Sequence, residues 1–340
     1  MATGFLSQVA AGVLSTLVDP TIVLSFDRTG YRIHQLGFRD DDLDVDMTGR
    51  VCVVTGANSG LGYAAALALA ERGADVWLLC RNRQRGEAAL KRIRRKSRNA
   101  RVHLEVVDMA SRRSIRAFAA RCTAERVDVL VNNAGVLPDT RRETEGRIEL
   151  TWATNVVGPF LLTHLLVPKL VAAPQGRVIT VSSGGMYTQK LVLDDPQSRT
   201  PPFDGVKAYA LTKRADVVLS ELWAQRLRRT RVTVNSMHPG WADTPAVRTS
   251  LPRFYRVMRS RLRTPAEGAD TIVWLAVCER LAGRSGLFWF DRRPCATHYL
   301  PWTREAERDR ERLWTLCCKL AEVPSSDQPS AISPQPKARR

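Results

Sequence analysis

The sequence predicts an α/β fold: a doubly wound, mainly parallel sheet of seven strands in a single domain with an extension at each end. Three observations predict it. Short apolar runs alternate with longer amphipathic segments from Arg50 onward, and that alternation makes βαβ units whose sheet is buried on both faces. The first apolar run leads straight into a glycine-rich turn and then a helical pattern. The chain has 340 residues, 44% of them hydrophobic, which suffices for a sizeable core and excludes a disordered or fibrous chain over most of its length.

Residues 1–46 form the N-terminal extension. Phe5, Leu6, Val9, Ala10, Val13, Leu14, Leu17 and Val18 fall at helical spacing opposite Ser7, Gln8, Ser15 and Thr16. Asp19-Pro20 ends that pattern, because Pro lacks a backbone donor and disfavours helix in the residue before it. The apolar patch Ile22-Val23-Leu24 and an acidic stretch from Arg39 to Asp46 follow. Two placements fit such a leader: a membrane interface, although its polar face carries no Lys or Arg, and packing against its own domain. A cleaved mitochondrial leader fits less well, because Arg is absent before Arg28.

The domain spans 47–300. Val51–Thr55, Asp75–Cys80, Val102–Val107, Val127–Asn132, Arg177–Ser182 and Val232–Met237 read as strands, with Gly286–Phe290 as the seventh. Helices are expected over 61–73, 84–98, 111–124, 147–172, 207–229 and 266–278. Residues 301–322 read as a C-terminal helix, and the Pro- and Ser-rich tail 323–340 as disordered. No run of about 18 uninterrupted apolar residues occurs, which argues against an ordinary transmembrane helix.

Charge and cysteine use exclude further classes. Lys and Arg number 52 against 34 Asp and Glu, a net charge of +18. The basic residues are scattered, the densest cluster running from Arg81 to Arg101, with neither zinc-finger spacing nor interleaved aromatics. A solvated helix face explains them better than a nucleic-acid site, and adhesion to acidic surfaces stays open. Seven cysteines without a Cys-x-x-Cys pair, and five dispersed histidines, argue against a disulfide scaffold and a metal centre. An intracellular protein is expected, cytoplasmic or peripheral on an organelle membrane, and not secreted.

Two constellations carry chemistry. Thr55-Gly56-Ala57-Asn58-Ser59-Gly60-Leu61-Gly62 joins the first strand to the first helix of the domain, where glycine lets the backbone turn and approach a pyrophosphate favoured by the helix N-terminus. Tyr209 and Lys213 are four apart on a predicted helix and share a face. A free phenol, with a pKa near 10, is a poor acid or base at neutral pH, and a neighbouring ammonium favours the phenolate. Ser183, at a strand end, is placed to hydrogen-bond a substrate oxygen.

These residues, with Asn132-Asn133-Ala134-Gly135, Asn155 and Pro239-Gly240, occur in one order at strand ends and on helices. The array resembles the short-chain dehydrogenase/reductase family, of Rossmann type, over about residues 50–300. Cys80-Arg81-Asn82 and the wide Ser183-to-Tyr209 interval resemble its retinol-dehydrogenase-like branch. The resemblance implies Tyr209 as general acid/base, Lys213 as holder of the nicotinamide ribose, Ser183 as substrate orienter and Asn155 as anchor of a relay water. It implies cofactor contacts from Gly56, Ser59, Gly60, Leu61, Gly62, Asp108, Asn133, Pro239, Gly240 and Thr244. Tyr63 departs from the more usual basic residue after the glycine turn, and the leader matches nothing in the family. Oxidoreduction between a carbonyl and an alcohol is therefore expected; the alternative is a dinucleotide-binding sensor or scaffold without turnover.

The cofactor expected is NADP(H) rather than NAD(H). An NAD site usually ends its second strand with an acidic residue on the ribose 2′-hydroxyl. Here Arg81-Asn82-Arg83 follows that strand, with no acid before Glu87, and a guanidinium suits a 2′-phosphate. Tyr187–Lys207 and Ala246–Arg263 are expected to flank the site. The second mixes Leu251, Phe254, Tyr255, Val257 and Met258 with Arg248, Arg253, Arg256, Arg259, Arg261 and Arg263. That mixture fits either a membrane-surface lid over a lipophilic substrate or a lid packed on its own domain with solvated arginines. Family helices carrying the matching Asn and Tyr often pair between subunits, and Leu161, Leu162, Leu165 and Leu166 serve equally as a homodimer face or as core.

Overall fold

The strands Val51–Thr55 (β1), Asp75–Cys80 (β2), Val102–Val106 (β3), Val129–Asn132 (β4), Arg177–Val181 (β5), Thr233–His238 (β6), Phe288–Phe290 (β7) and Arg293–Cys295 (β8) form one sheet. Their order is β3-β2-β1-β4-β5-β6-β7-β8. The computed structural model describes residues 21–299 and 301–325; the apolar pattern at 5–18 and residues 326–340 of the tail lie outside the described residues. Strands β1 to β7 pair in parallel, whereas β8 pairs antiparallel with β7. The eighth strand adds to the seven expected. Asp291 and Arg292 make the two-residue turn with φ of 45° and 59°, and Pro294 on an edge strand hides the hairpin from a propensity reading.

Alternate residues of each strand feed opposite layers, because side chains in a strand alternate sides. Cys52 and Val54 enter one core beneath the helices Gly60–Glu71 (α3), Arg83–Ser97 (α4) and Pro265–Val277 (α10), whereas Val53 enters the other. That second layer holds Arg112–Arg121 (α5), Leu150–Ala172 (α6), Gly205–Arg226 (α7) and Glu307–Ala321 (α11). Among the described residues α6 alone is long and apolar enough to cross a membrane, and most of it is buried inside the chain.

Helix starts follow their capping chemistry. Asp204 accepts from the N–H groups of Val206 and Lys207 at the head of α7, and Thr264 and Glu267 close a reciprocal capping box on α10. The buried Glu149 caps α6 through Thr151 and Trp152, so the helix begins at Leu150 rather than 147. Residues Ala153–Val157 then widen into a π-helical turn, a distortion frequent at functional sites. Two short helices, Pro245–Ser250 (α8) and Pro252–Met258 (α9), follow β6, and two more, Ile22–Phe26 (α1) and Arg28–Gln35 (α2), lie in the N-terminal extension.

Candidate active site

The C-terminal ends of β1, β4, β5 and β6 converge where the strand order reverses, the crevice in which open α/β sheets bind ligands. Tyr209 and Lys213 arrive there on α7. Tyr209 is half-buried, and the Lys213 ammonium lies 5.6 Å from its ring centroid. Lys213 donates to the Val181 carbonyl and to Asp216 Oδ2, each at 2.9 Å. Burial works against its charge, but the Asp216 and Tyr209 fields outweigh it and raise the ammonium's pKa.

Asn155 sits in the π-helical turn. Its Oδ1 accepts from the Val136 N–H at 2.9 Å, and its Nδ2 donates to the Val136 carbonyl and to Thr212 Oγ1. Thr212 donates in turn to the Tyr209 carbonyl at 2.7 Å, so Asn155 is coupled to the Tyr209 backbone. A Cβ on Gly135 would stand 3.4 Å from Asn155 Oδ1 and 3.9 Å from Lys213 Nζ, which brings these residues to one place. Ser183 follows β5 two residues on, and its Oγ accepts from the Gly185 N–H at 3.2 Å. Gly185 in turn faces Ala210 beside Tyr209.

The glycine positions of the turn are tight. Gly56 and Gly60 have φ of 67° and 57°, in the left-handed region that glycine adopts without strain. A Cβ on Gly62 would lie 2.4 Å from Asn133 Nδ2. Asn133 donates to the Thr55 carbonyl at 2.8 Å, and Thr55 Oγ1 accepts from the N–H groups of Asn133 and Ala134, tying β1 to β4. Across the turn, Gly60 faces Thr244, the N-cap of α8. A turn whose glycines leave no room for a Cβ, at a helix N-terminus, fits a pyrophosphate.

At the end of β2, Arg81 is exposed and Asn82 caps α4 by accepting the Arg85 N–H, leaving its Nδ2 as donor. Asp108 follows β3; its Oδ1 accepts from the Ala110 N–H and its own N–H donates to Ser114 Oγ. Tyr63 lies under the Arg92 guanidinium at 4.7 Å, so a basic group does stand beside the turn, supplied from α4.

Three features were not foreseen. The N-terminal segment closes over the site's β6 side: Phe26 packs edge to face on His238 at 4.4 Å and on Phe290 at 5.2 Å, and a Cβ on Gly184 would strike it at 2.6 Å. His238 Nδ1 accepts from the Gly184 N–H at 3.0 Å, and burial, with the nearby Arg263, pushes the imidazole's pKa down to about 3. Asp216, three residues beyond Lys213, is the third. Its spacing was the one signal available in the sequence; the Phe26 contact joins residues too distant to leave any.

Helix α11 lies over α6 and α7. Trp314 meets Phe160 at 4.9 Å and Trp223 at 4.7 Å, with the Arg226 guanidinium 3.7 Å from its ring. Leu161, Leu162 and Leu166 are fully buried in the core, and Leu165 packs against it. Leu161, Leu162 and Leu166 therefore serve the core. In the lid, Phe254 packs on Trp241 at 5.2 Å, while Arg253, Arg256 and Arg259 are exposed and Val257 is 76% exposed.

The chain belongs to the short-chain dehydrogenase/reductase family: residues 50–253 match the family model described as short chain dehydrogenase. It is an NAD(P)-dependent oxidoreductase of the retinol-dehydrogenase-like branch. It is similar to dehydrogenase/reductase SDR family member 12 of Bos taurus, at 42% identity over 87% of this chain and 94% of the relative. Retinol dehydrogenase 12 of Homo sapiens is 35% identical over 82% of this chain and 88% of its own length. Among solved structures, a short-chain dehydrogenase of Escherichia coli CFT073 complexed with NADPH superposes with a TM-score of 0.59 at 25% identity, covering 75% of this chain and all of the other.

Proposed function

We propose that the protein interconverts a carbonyl and an alcohol with NADP(H), Tyr209 serving as the proton donor and acceptor and the substrate carrying a lipophilic body. The observation that carries this reading is the placement of the buried Lys213 ammonium 5.6 Å from the Tyr209 ring, held by the Val181 carbonyl. A cation beside a phenol is the arrangement that general acid/base chemistry at an alcohol or carbonyl oxygen calls for.

The bound cofactor supplies or accepts a hydride; the residues of this chain do the rest. Gly56, Ser59, Gly60, Leu61 and Gly62 would hold the pyrophosphate, Asp108 the adenine, and Asn133, Pro239, Gly240 and Thr244 the nicotinamide end. Arg81, with Asn82 Nδ2 as a second donor, would hold the 2′-phosphate. Lys213 has a third donor direction left for the ribose. Ser183 would orient the substrate oxygen toward the Tyr209 hydroxyl, and Asn155 would anchor a water linked to Lys213. This machinery belongs to residues 47–300, with 1–46 and 301–322 as extensions at either end.

A lipophilic substrate is supported by α8 and α9 beside the site, with Leu251, Phe254, Tyr255 and Met258 half-buried, and by the relatives named retinol dehydrogenase. The exposed arginines around Val257 suit an anionic membrane surface. Turnover of retinoid, steroid and short-chain aldehydes with NADPH and NADH tests the function, with Tyr209→Phe as control. Long aldehydes should be preferred, and dinucleotide binding without any turnover would instead favour a sensor. Co-sedimentation with anionic liposomes at low salt tests the membrane contact.

A further inference from the structure

Lys213 and Asp216 face each other inside the protein. Both side chains are almost fully buried, Lys213 Nζ and Asp216 Oδ2 are 2.9 Å apart, and the residues are one helical turn apart on α7. The pair sits on the residue whose positive charge is the basis of the proposed chemistry. A buried carboxylate there is costly unless it serves a purpose, since replacing a buried ion pair with apolar groups is often neutral or stabilising.

We propose that Asp216 is a positioning residue for proton transfer: it fixes the Lys213 ammonium in place and offsets part of its charge, so setting the pH at which Tyr209 exchanges its proton. The inference rests on the Tyr209–Lys213 reading above and deepens it. Two anchors define the ammonium's position, the Val181 carbonyl from β5 and the Asp216 carboxylate from α7. The first carries no net charge; the second places a negative charge 2.9 Å from the ammonium. Removing that negative charge would leave the ammonium's field on the phenol uncompensated.

The groups around Asp216 leave Lys213 as its controlling charge. From α11 the titratable neighbour is Cys317, whose thiol is raised well above its ordinary range by burial, with Cys318 and Asp216 adding to it. On α7 the Ser220 hydroxyl donates to the Asp216 carbonyl and carries no charge. Burial pushes the Asp216 carboxyl up to about 6 against the pull of Lys213, so the carboxylate is ionised at neutral and alkaline pH, where alcohol–carbonyl turnover would be read.

The test is the pH profile of kcat/KM, with NADPH and a saturated long-chain aldehyde, for wild type, Asp216→Asn, Asp216→Glu and Tyr209→Phe. In Asp216→Asn the limb that reports Tyr209 should move to lower pH by about one unit. In Asp216→Glu, which keeps the charge, the limb should stay with the wild type even if kcat falls. A merely structural role for Asp216 would lower the rate at every pH without moving the limb. Asp216→Ser repeats the reading if the Asn variant does not fold. Failure of both neutral variants to fold, with Asp216→Glu intact, would assign the carboxylate to stability alone and overturn the proposal. An unmoved limb in a folded neutral variant overturns it too, leaving the catalytic assignment standing. Turnover that survives Tyr209→Phe, or is missing from the wild type, overturns the assignment beneath it.

Discussion

Arg263 and Asp291 form a two-point ion pair at 2.6 and 2.9 Å, with both side chains buried. The same guanidinium donates to the carbonyls of Ser25, Phe26 and Asp27, and Asp291 also meets His34 at 2.7 Å. One buried arginine thus fastens the N-terminal segment onto the loop after β6. Burial raises the Asp291 carboxyl, but Arg263 and His34 outweigh it and hold its pKa below the usual carboxylate value.

Removing one partner leaves the other charge buried without compensation, which typically costs about 3–5 kcal/mol. Arg263→Met should lose stability on that scale in a denaturant melt. Its turnover should also fall, because Phe26 would no longer be pinned over Gly184. A loss below about 1 kcal/mol would show that the clasp is incidental.

His238 makes a pH prediction. Its imidazole is neutral in the folded protein down to about pH 3, whereas an unfolded histidine takes up a proton near pH 6.5. Between those values the unfolded state binds the extra proton. The stability that neutral His238 contributes is therefore complete above about pH 6.5 and is lost as pH falls, by up to about 1.4 kcal/mol per pH unit. Urea melts of wild type and His238→Asn across pH 4–7 should show a shallower slope in the variant. Equal slopes would place His238 in contact with solvent.

The proposed cofactor preference turns on Arg81. Hydrogen bonds to charged groups contribute about 1.5–3 kcal/mol, a tenfold to hundredfold preference. Wild type should bind NADPH more tightly than NADH by that factor, and Arg81→Asp should reverse the order. Tighter NADH binding by the wild type, or an unchanged preference in the variant, contradicts the assignment.

Much of this was legible in the sequence because it is local. The strand β2 and the turn at Gly56–Gly62 announce themselves within a dozen residues, and Tyr209 and Lys213 share a helix face by spacing alone. The π-helical turn at Asn155 gives no sign, since its widening depends on how Val136 and Thr212 grip the side chain from other elements. The hairpin to β8 was hidden by Pro294. Phe26 could not have been placed over His238 from the sequence, because only the fold brings residues more than two hundred positions apart together.

Trp314 helps to hold the leucines of α6 in the core. The C-terminal helix already covers α6 and α7 through the Phe160, Trp223 and Trp314 rings. Light scattering should find a monomer at micromolar concentration. Trp314→Ala should cost about 3–5 kcal/mol, as truncation of a buried aromatic does. A stable dimer in the wild type would require a different face.

The central claim is that Tyr209 moves the proton. Single-turnover oxidation of bound NADPH by a long-chain aldehyde, followed by the loss of nicotinamide absorbance in wild type and Tyr209→Phe, tests it most directly. Both proteins should bind NADPH with similar affinity, and the variant's turnover should fall by a factor of about 100 or more. Turnover in Tyr209→Phe within a few-fold of the wild type, with binding intact, would contradict it.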